Sequence, residues 1–366
     1  MERAVTRSPW GRWGVNAVLF VLCAIWLLPT LGLFISSFRT PDNIQQSGWW
    51  TIFPHQAWQT VDSFAPDPGL DRGGVMEIAG ARGTFEQLRA GIETPDGRRV
   101  IWVGNRRIGA IHIEQLQWTT NANFTFQNYA DVLTGKEYEV TNAEGVARTL
   151  KGDDLSGAFL NSLAVTLPSV LLPLIIAAFA AYGFAWVRFP GRGFAFALIV
   201  ALLVVPLQIS LVPVLSDYVK LDLNGTYLAV WLAHTGFGLP LAIYLLYNYI
   251  ASLPRELLEA ATMDGASHLT IFRTIVLPLS APVLASYAIF QFLWVWNDYL
   301  VALIFIGSQP NVQVLTMRLA EIVGSRGNDW HLLTAGAFIS MVLPLAVFFS
   351  LQRYFVRGLI AGAVKA

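Results

Sequence analysis

The sequence predicts an all-α polytopic membrane protein with six spanning helices and a small β-rich domain inserted between the first and the second. Three observations predict it. Only 13% of the 366 residues are charged while 55% are hydrophobic, and the mean hydropathy is +0.52; a soluble domain carries about 25% charged residues. Apolar residues gather into six runs of spanning length, 15–38, 158–187, 194–218, 226–250, 281–306 and 333–355. Between the first two runs the sequence turns polar, with short alternating stretches separated by turn residues.

The first run follows Arg3, Arg7 and Arg12. It exceeds the apolar core of a signal peptide and no small-x-small cleavage site follows, so it reads as an uncleaved signal anchor. Lipid offers no water to backbone groups, so each run is expected to be a helix. An even number of spans puts both termini on one side. Arg188 and Arg192, Arg255 and Arg273, and Arg353, Arg357 and Lys365 fall on that same side, which the positive-inside rule makes cytoplasmic. Net charge is zero, so nothing argues for a nucleic-acid partner. Cys23 is the single cysteine, and an intrachain disulfide is excluded.

In the polar insert, strand-like pieces are Gly73–Ile78, Gln87–Glu93, Arg99–Gly104 and Ile108–Leu116, with a hairpin turn at Pro95-Asp96-Gly97. The insert is expected outside the cell although it holds about 10 of the 24 Lys and Arg residues, because long loops translocate largely regardless of charge. Phe124–Leu133 reads as a short amphipathic helix leading to the second span.

The segment Glu259–Pro278, EAATMDGASHLTIFRTIVLP, is the most informative. Pro254 can open a helix there, with Ser252 as cap. Glu256 and Glu259 sit near its N-terminal end, where the dipole favours acids. Leu257, Leu258, Ala260 and Ala261 are expected to form one packing face, and Gly265 to allow a turn or a close approach. Pro278 falls where the fifth span enters the membrane. The segment is either a surface helix offering a docking face to a soluble partner or an ordinary connecting loop.

Polar residues inside spans are Asn297, Asp298, Gln291, Gln208 and His234. An ionisable group in lipid is costly, so each either lines a solute pathway or fixes helix packing. Pro206, Pro213 and Pro240 are candidate kinks. The connection 307–332 carries a polar tip with Arg318, Ser325, Arg326, Gly327, Asn328 and Asp329. No phosphate-loop sequence occurs, for Gly135-Lys136 is followed by Glu. His55, His112, His234, His268 and His331 show no metal-ligand spacing, and there is no nucleophile elbow. The chain reads as non-enzymatic, with no nucleotide or metal of its own.

Glu259, Ala260, Ala261, Gly265, Ile275, Leu277 and Pro278 resemble the EAA loop of bacterial ABC-importer permeases. ISSFRTPDNI, FTFQNYADVL, FLNSLAVTLPS, AYGFAWVRFPGRG, WVWNDYLVAL and QRYFVRGLIAGAVKA resemble, in order, the MalG-type carbohydrate permeases, and the long insert is most similar to alpha-glucoside permeases. The resemblance implies a type I ABC importer fold in a bacterial inner membrane. The expected division is a first span over 1–38, an insert over 39–155, a core over 156–356 and a tail over 357–366. It implies a coupling helix over 254–265, with Glu256, Glu259, Ala260, Ala261, Asp264, Gly265, Ile275, Leu277 and Pro278 serving a dimeric ATPase subunit that holds ATP and Mg. It further implies a second permease subunit, a solute-binding protein that the 307–332 connection reaches, and a tail in which Gly358, Gly362 and Lys365 approach the ATPase. The sugar is expected to be an oligosaccharide. The alternatives are an ion-coupled secondary transporter and a membrane-anchored sensor.

Overall fold

Proline placement and the lengths of the apolar runs decide where the helices run and where they break. A computed structural model of the chain describes residues 9–135, 137–141, 147–152, 154–307, 309–326 and 329–363. It divides into two units, Met1–Thr125 and Phe126–Ala366.

In the first unit, α1 (Pro9–Ser37) keeps its apolar side chains exposed, Trp26 at 82%, as suits a helix solvated by lipid. The indole of Trp49 lies where a side chain at Gly32 would stand, so the approach requires glycine. After α2 (Pro41–Gln46) and a 3₁₀ turn (Trp49–Ile52), the buried Arg39 donates to Asn43 O (2.8 Å), Ser47 O (3.0 Å) and Ser47 Oγ (2.6 Å). One guanidinium thus serves two backbone carbonyls and a hydroxyl at the end of α2.

The sheet is antiparallel, in the order β1 (His55–Phe64), β6 (Gly109–Thr119), β5 (Arg98–Gly104), β4 (Ile92–Glu93). A separate hairpin pairs β2 (Met76–Ile78) with β3 (Ala81–Gly83). α3 (Phe85–Ala90) covers one sheet face and stacks Phe85 edge-on against Trp102 at 5.4 Å. Met76, Leu88, Val100, Trp102 and Ile111 form the core.

Three expectations change here. Gln87–Glu93 is mostly helix, because Thr84 and Gln87 cap each other's backbone at the start of α3 and outweigh the alternation. Gly73–Ile78 is extended only over β2. β1, unforeseen because its face is largely exposed, pairs along β6 with an irregularity between Thr60 and Asp62. The Pro95-Asp96-Gly97 turn is present, with Gly97 at φ 78° and its N–H on Thr94 O at 2.9 Å.

In the second unit, α4 (Gln127–Thr134) and the hairpin β7 (Glu137–Thr141)–β8 (Ala147–Lys151) precede α5 (Leu155–Trp186), which Asp154 caps by accepting from Gly157 N at 3.2 Å. The unit boundary at Thr125 therefore falls inside the 39–155 insert. α6 (Arg192–Leu202) and α7 (Leu207–Lys220) meet at 102°. The run 194–218 is thus not one straight helix: Pro206 has no N–H to donate and forces Val205 out of helical geometry. α8 (Tyr227–Ile250) is capped by Thr226.

α9 (Arg255–Met263), α10 (His268–Ile271), a π turn (Phe272–Val276) and α11 (Leu277–Leu279) lead to α12 (Ala281–Asn297). His268–Leu279 and Ala281–Asn297 are bent by 71°, between Pro278 and Pro282, each without an N–H. The expected run 281–306 breaks again after Asn297, and α13 (Leu300–Ile306) follows. α14 (Leu315–Arg326) occupies what was expected to be an outer loop, and α15 (Trp330–Ala363) closes the unit.

Among the described residues, four helices are long and apolar enough to cross a membrane, or up to six if each bent pair counts as one span. α5 packs along α8 and α12, and α12 along α15. Buried alanines Ala177, Ala178, Ala181 and Ala242 let α5 and α8 approach closely.

Candidate functional site

Two regions of the second unit hold the candidate residues: the α9–α11 segment and the polar interior between α5, α8 and α12.

α9 has two distinct faces. Leu258 is buried and Ala261 half-buried against the α5–α8 core. Arg255, Leu258, Glu259 and Thr262, at helical spacing, line a cavity of about 270 Å³ with Tyr182, Trp186, Arg188, Arg192 and His268. The opposite face presents Glu256, Leu257, Ala260, Met263 and Asp264, with Met263 85% exposed. Leu257 and Ala260 therefore do not share the packing face with Leu258, because the helical period turns them about 100–160° away. Glu259 lies on the cavity side, not on the outer face.

The helix ends in a Schellman turn. Ala266 N donates to Ala261 O (3.0 Å) and Gly265 N to Thr262 O (3.0 Å), with Gly265 at φ 80°. Nothing crowds a Cβ at Gly265, so glycine is needed there for conformation alone. Pro254 precedes the first helical residue, and Ser252 does not cap it; its hydroxyl donates back to Tyr249 O at 2.7 Å. Ser267 Oγ then accepts from Thr270 N at 3.2 Å to start α10. Further on, Ile275 is half-buried while Leu277 and Pro278 are exposed. Tyr182 Oη and His268 Nδ1 are 2.9 Å apart, and Phe179 stacks on Phe272 at 4.6 Å, joining this segment to α5.

In the interior, Gln291 is fully buried and its amide is used up. Nε2 donates to Ser169 O (3.2 Å) and His234 O (3.3 Å), and Oε1 accepts from Tyr287 Oη (3.0 Å). One residue of α12 thereby ties α5 and α8. Asp298 is the cap of the helix break: its Oδ2 accepts from Val301 N (2.9 Å) and Ala302 N (3.2 Å). His234 Nε2 lies 3.7 Å from the same oxygen, beyond hydrogen-bond reach. Asn297 is exposed and folds back on Leu293 O at 2.7 Å. Gln208 stands apart, exposed on the first turn of α7. The structure thus brings together His234, Gln291 and Asp298 but not Asn297 or Gln208.

Tyr287, Asn161 and Ser162 were not singled out from the sequence. Asn161 receives Tyr227 Oη (2.7 Å) and donates to Asn311 O and Gln313 O (3.0 and 2.9 Å), while Ser162 Oγ accepts from Leu315 N (2.8 Å). The FLNSLAVTLPS stretch contained that signal as two polar residues at the head of a span.

On the α14 side, Arg318 pairs with Glu321 at 3.1 Å and donates to Pro310 O. Ser325 and Arg326 end α14, and Asp329 O accepts from Leu332 N and Leu333 N in the first turn of α15. Gly358 and Gly362 lie within α15. Gly327, Asn328 and Lys365 fall outside the described residues.

Against known proteins, residues 158–361 match the family model described as binding-protein-dependent transport system inner membrane component. The chain is 44% identical over 98% of its length to the osmoprotective compounds uptake permease protein GgtD of Synechocystis (93% of that protein covered). It is also 44% identical, over 98% of both chains, to the alpha-glucoside transport system permease protein AglG of Rhizobium meliloti. A solved bacterial ABC transporter chain, from a system importing the acidic polysaccharide alginate, shares the fold at TM-score 0.58 with 17% identity, covering 96% of this chain and 98% of that one. Family membership sets aside the secondary-transporter and sensor readings. The chain belongs to the binding-protein-dependent transport system inner membrane components: it is the permease subunit of an ABC importer, a membrane component without a catalytic role.

Proposed function

We propose that this permease carries a sugar, an oligosaccharide of the alpha-glucoside type, and that α9 couples it to a dimeric ATPase subunit holding ATP and Mg. The observation that carries the coupling is the two-faced α9. Its inner face is anchored by Leu258, and its outer face leaves Leu257, Ala260 and Met263 uncovered. An exposed apolar strip rimmed by Glu256 and Asp264 suits a protein groove. Closure of the ATPase dimer would shift α9 as a rigid body and tilt the helices above it. In this reading α9 and both termini are cytoplasmic, in a bacterial inner membrane. A second permease subunit completes the pathway, and a solute-binding protein docks on the other side near α14.

The sugar assignment is supported by the identity to the alpha-glucoside permease along nearly the whole chain, insert included. The equal identity to an osmoprotective compounds uptake permease favours a second reading, an osmoprotective solute as cargo. The test is purification from mild detergent followed by ATPase assays over a panel of solutes. Co-purifying ATPase and second permease, with stimulation by alpha-glucosides through a binding protein, is expected. Stimulation confined to osmoprotective compounds would replace the first reading by the second.

A further inference from the structure

The cavity behind α9 has a composition that coupling to an ATPase does not use. It is lined by Arg188, Arg192 and Arg255, with Glu259 as the lone carboxylate and His268 engaged with Tyr182. Arg188 and Arg255 make no hydrogen bond or ion pair among the described residues, and Arg192 makes a single bond to Val187 O at 3.4 Å. Three guanidinium groups around about 270 Å³, one of them weakly held and two unbonded, outnumber the single Glu259 carboxylate and leave the cavity net positive.

One of its walls is the end of the membrane-length helix α5. Trp186, the last residue of α5, donates its indole N–H to Ile250 O at 3.3 Å, and Tyr182 lies one turn further in. Phe194 and Leu198, one turn apart and 77% and 56% exposed, form the outward face of α6, about 160° and 120° round the helix from Arg192. A soluble phosphate would use only the arginines. A phospholipid would place its phosphate among the guanidiniums, and its acyl chains would reach the outward apolar face of α6 by passing round the N-terminal end of that helix.

We propose that this cavity binds the phosphate of an anionic phospholipid of the cytoplasmic leaflet. Arginine presents paired N–H donors that match phosphate oxygens, and basic pockets between span ends on the cytoplasmic side suit anionic headgroups. Glu259 bounds the site at the α9 wall, so an occupied cavity sits directly beneath the proposed coupling helix. The inference rests on the cytoplasmic placement of α9 given above.

The assembled transporter, purified in mild detergent, is mixed with phosphatidylglycerol or phosphatidylcholine, and retained lipid is read by native mass spectrometry. Preferential retention of phosphatidylglycerol is expected, falling about fivefold for each of Arg188→Gln, Arg192→Gln and Arg255→Gln, with Arg273→Gln, outside the cavity, unchanged. Equal retention of both lipids, or a triple variant that holds phosphatidylglycerol like wild type, overturns the proposal. Displacement by inorganic phosphate at equal concentration assigns the cavity to a soluble phosphate and overturns the lipid. Should the triple variant fail to assemble, a photoactivatable phosphatidylglycerol on wild type decides: adducts within 182–192 or 255–268 support the site, and adducts elsewhere refute it. Accessibility of Ser252→Cys to impermeant reagents tests sidedness separately; labelling from outside removes the leaflet assignment while the retention results stand.

Discussion

Tyr287 shares its hydroxyl proton between Gln291 Oε1 at 3.0 Å, one turn along α12, and Gly238 O at 3.1 Å, and Gln291 passes the constraint to the main chains of α5 and α8. A polar pair in a lipid-solvated bundle thus holds three helices in register. Gln291→Leu takes the amide donor from Ser169 O and His234 O, while the Tyr287 hydroxyl keeps Gly238 O at 3.1 Å, and should cost about 1–3 kcal/mol. Tyr287→Phe should cost about 1 kcal/mol. Melting of the detergent-solubilised protein, followed by size exclusion, reads both. Lost uptake in Gln291→Leu with unchanged melting would instead make Gln291 a solute contact.

Gly265→Asp should insert normally yet lose solute-stimulated ATPase activity. The left-handed turn costs a side-chain-bearing residue about 1–2 kcal/mol, and relief of that strain misdirects α9 relative to α10. Gly265→Asn, which tolerates this conformation better, should retain more activity. Equal activity in wild type and both variants refutes the geometry.

The outer face of α9 can be separated from the inner. Met263→Glu and Leu257→Glu should leave melting within about 0.5 kcal/mol of wild type while weakening ATPase co-purification. Leu258→Ala should do the reverse, destabilising by about 2–5 kcal/mol through a cavity at the α5–α8 core. Interchanged phenotypes would mean that the two faces have been assigned the wrong way round.

Asp298 serves as an acceptor for two backbone donors, a task that asparagine can share. Asp298→Asn should keep uptake near wild type, whereas Asp298→Ala should lose about 0.5–2 kcal/mol of stability. Abolished transport in a well-folded Asn variant would give the carboxylate a pathway role.

In the insert, Thr84→Ala removes half of a reciprocal cap and should cost about 1 kcal/mol. Faster proteolysis between Gly83 and Ala90 in the purified protein is the expected readout; unchanged cleavage would show that packing of Phe85 on Trp102 alone fixes the helix.

The spans and the α9 segment were legible because lipid imposes length and apolarity on each helix, and because Pro254, Gly265 and Pro278 mark turns by their own stereochemistry. The break after Asn297 was not, since Asp298 reads as a pathway group or a packing contact, and its role as a cap emerges only once Val301 and Ala302 are placed beside it. The same holds for Gln291, whose partners come from residues 122 and 57 positions away. β1 was missed for the opposite reason: its partner strand, not its own pattern, makes it a strand. α14 was read as a loop because its polar residues mask a buried edge of Leu315 and Met317.

The Schellman closure at Gly265 has a mechanical meaning. Two main-chain bonds clamp the corner between α9 and α10, and Ser267 clamps the next turn. In the proposed coupling, pressure at Met263 would reach Phe272 as torque on a stiff crank, and the proline-flanked elbow around Ser280 would be the hinge that gives way.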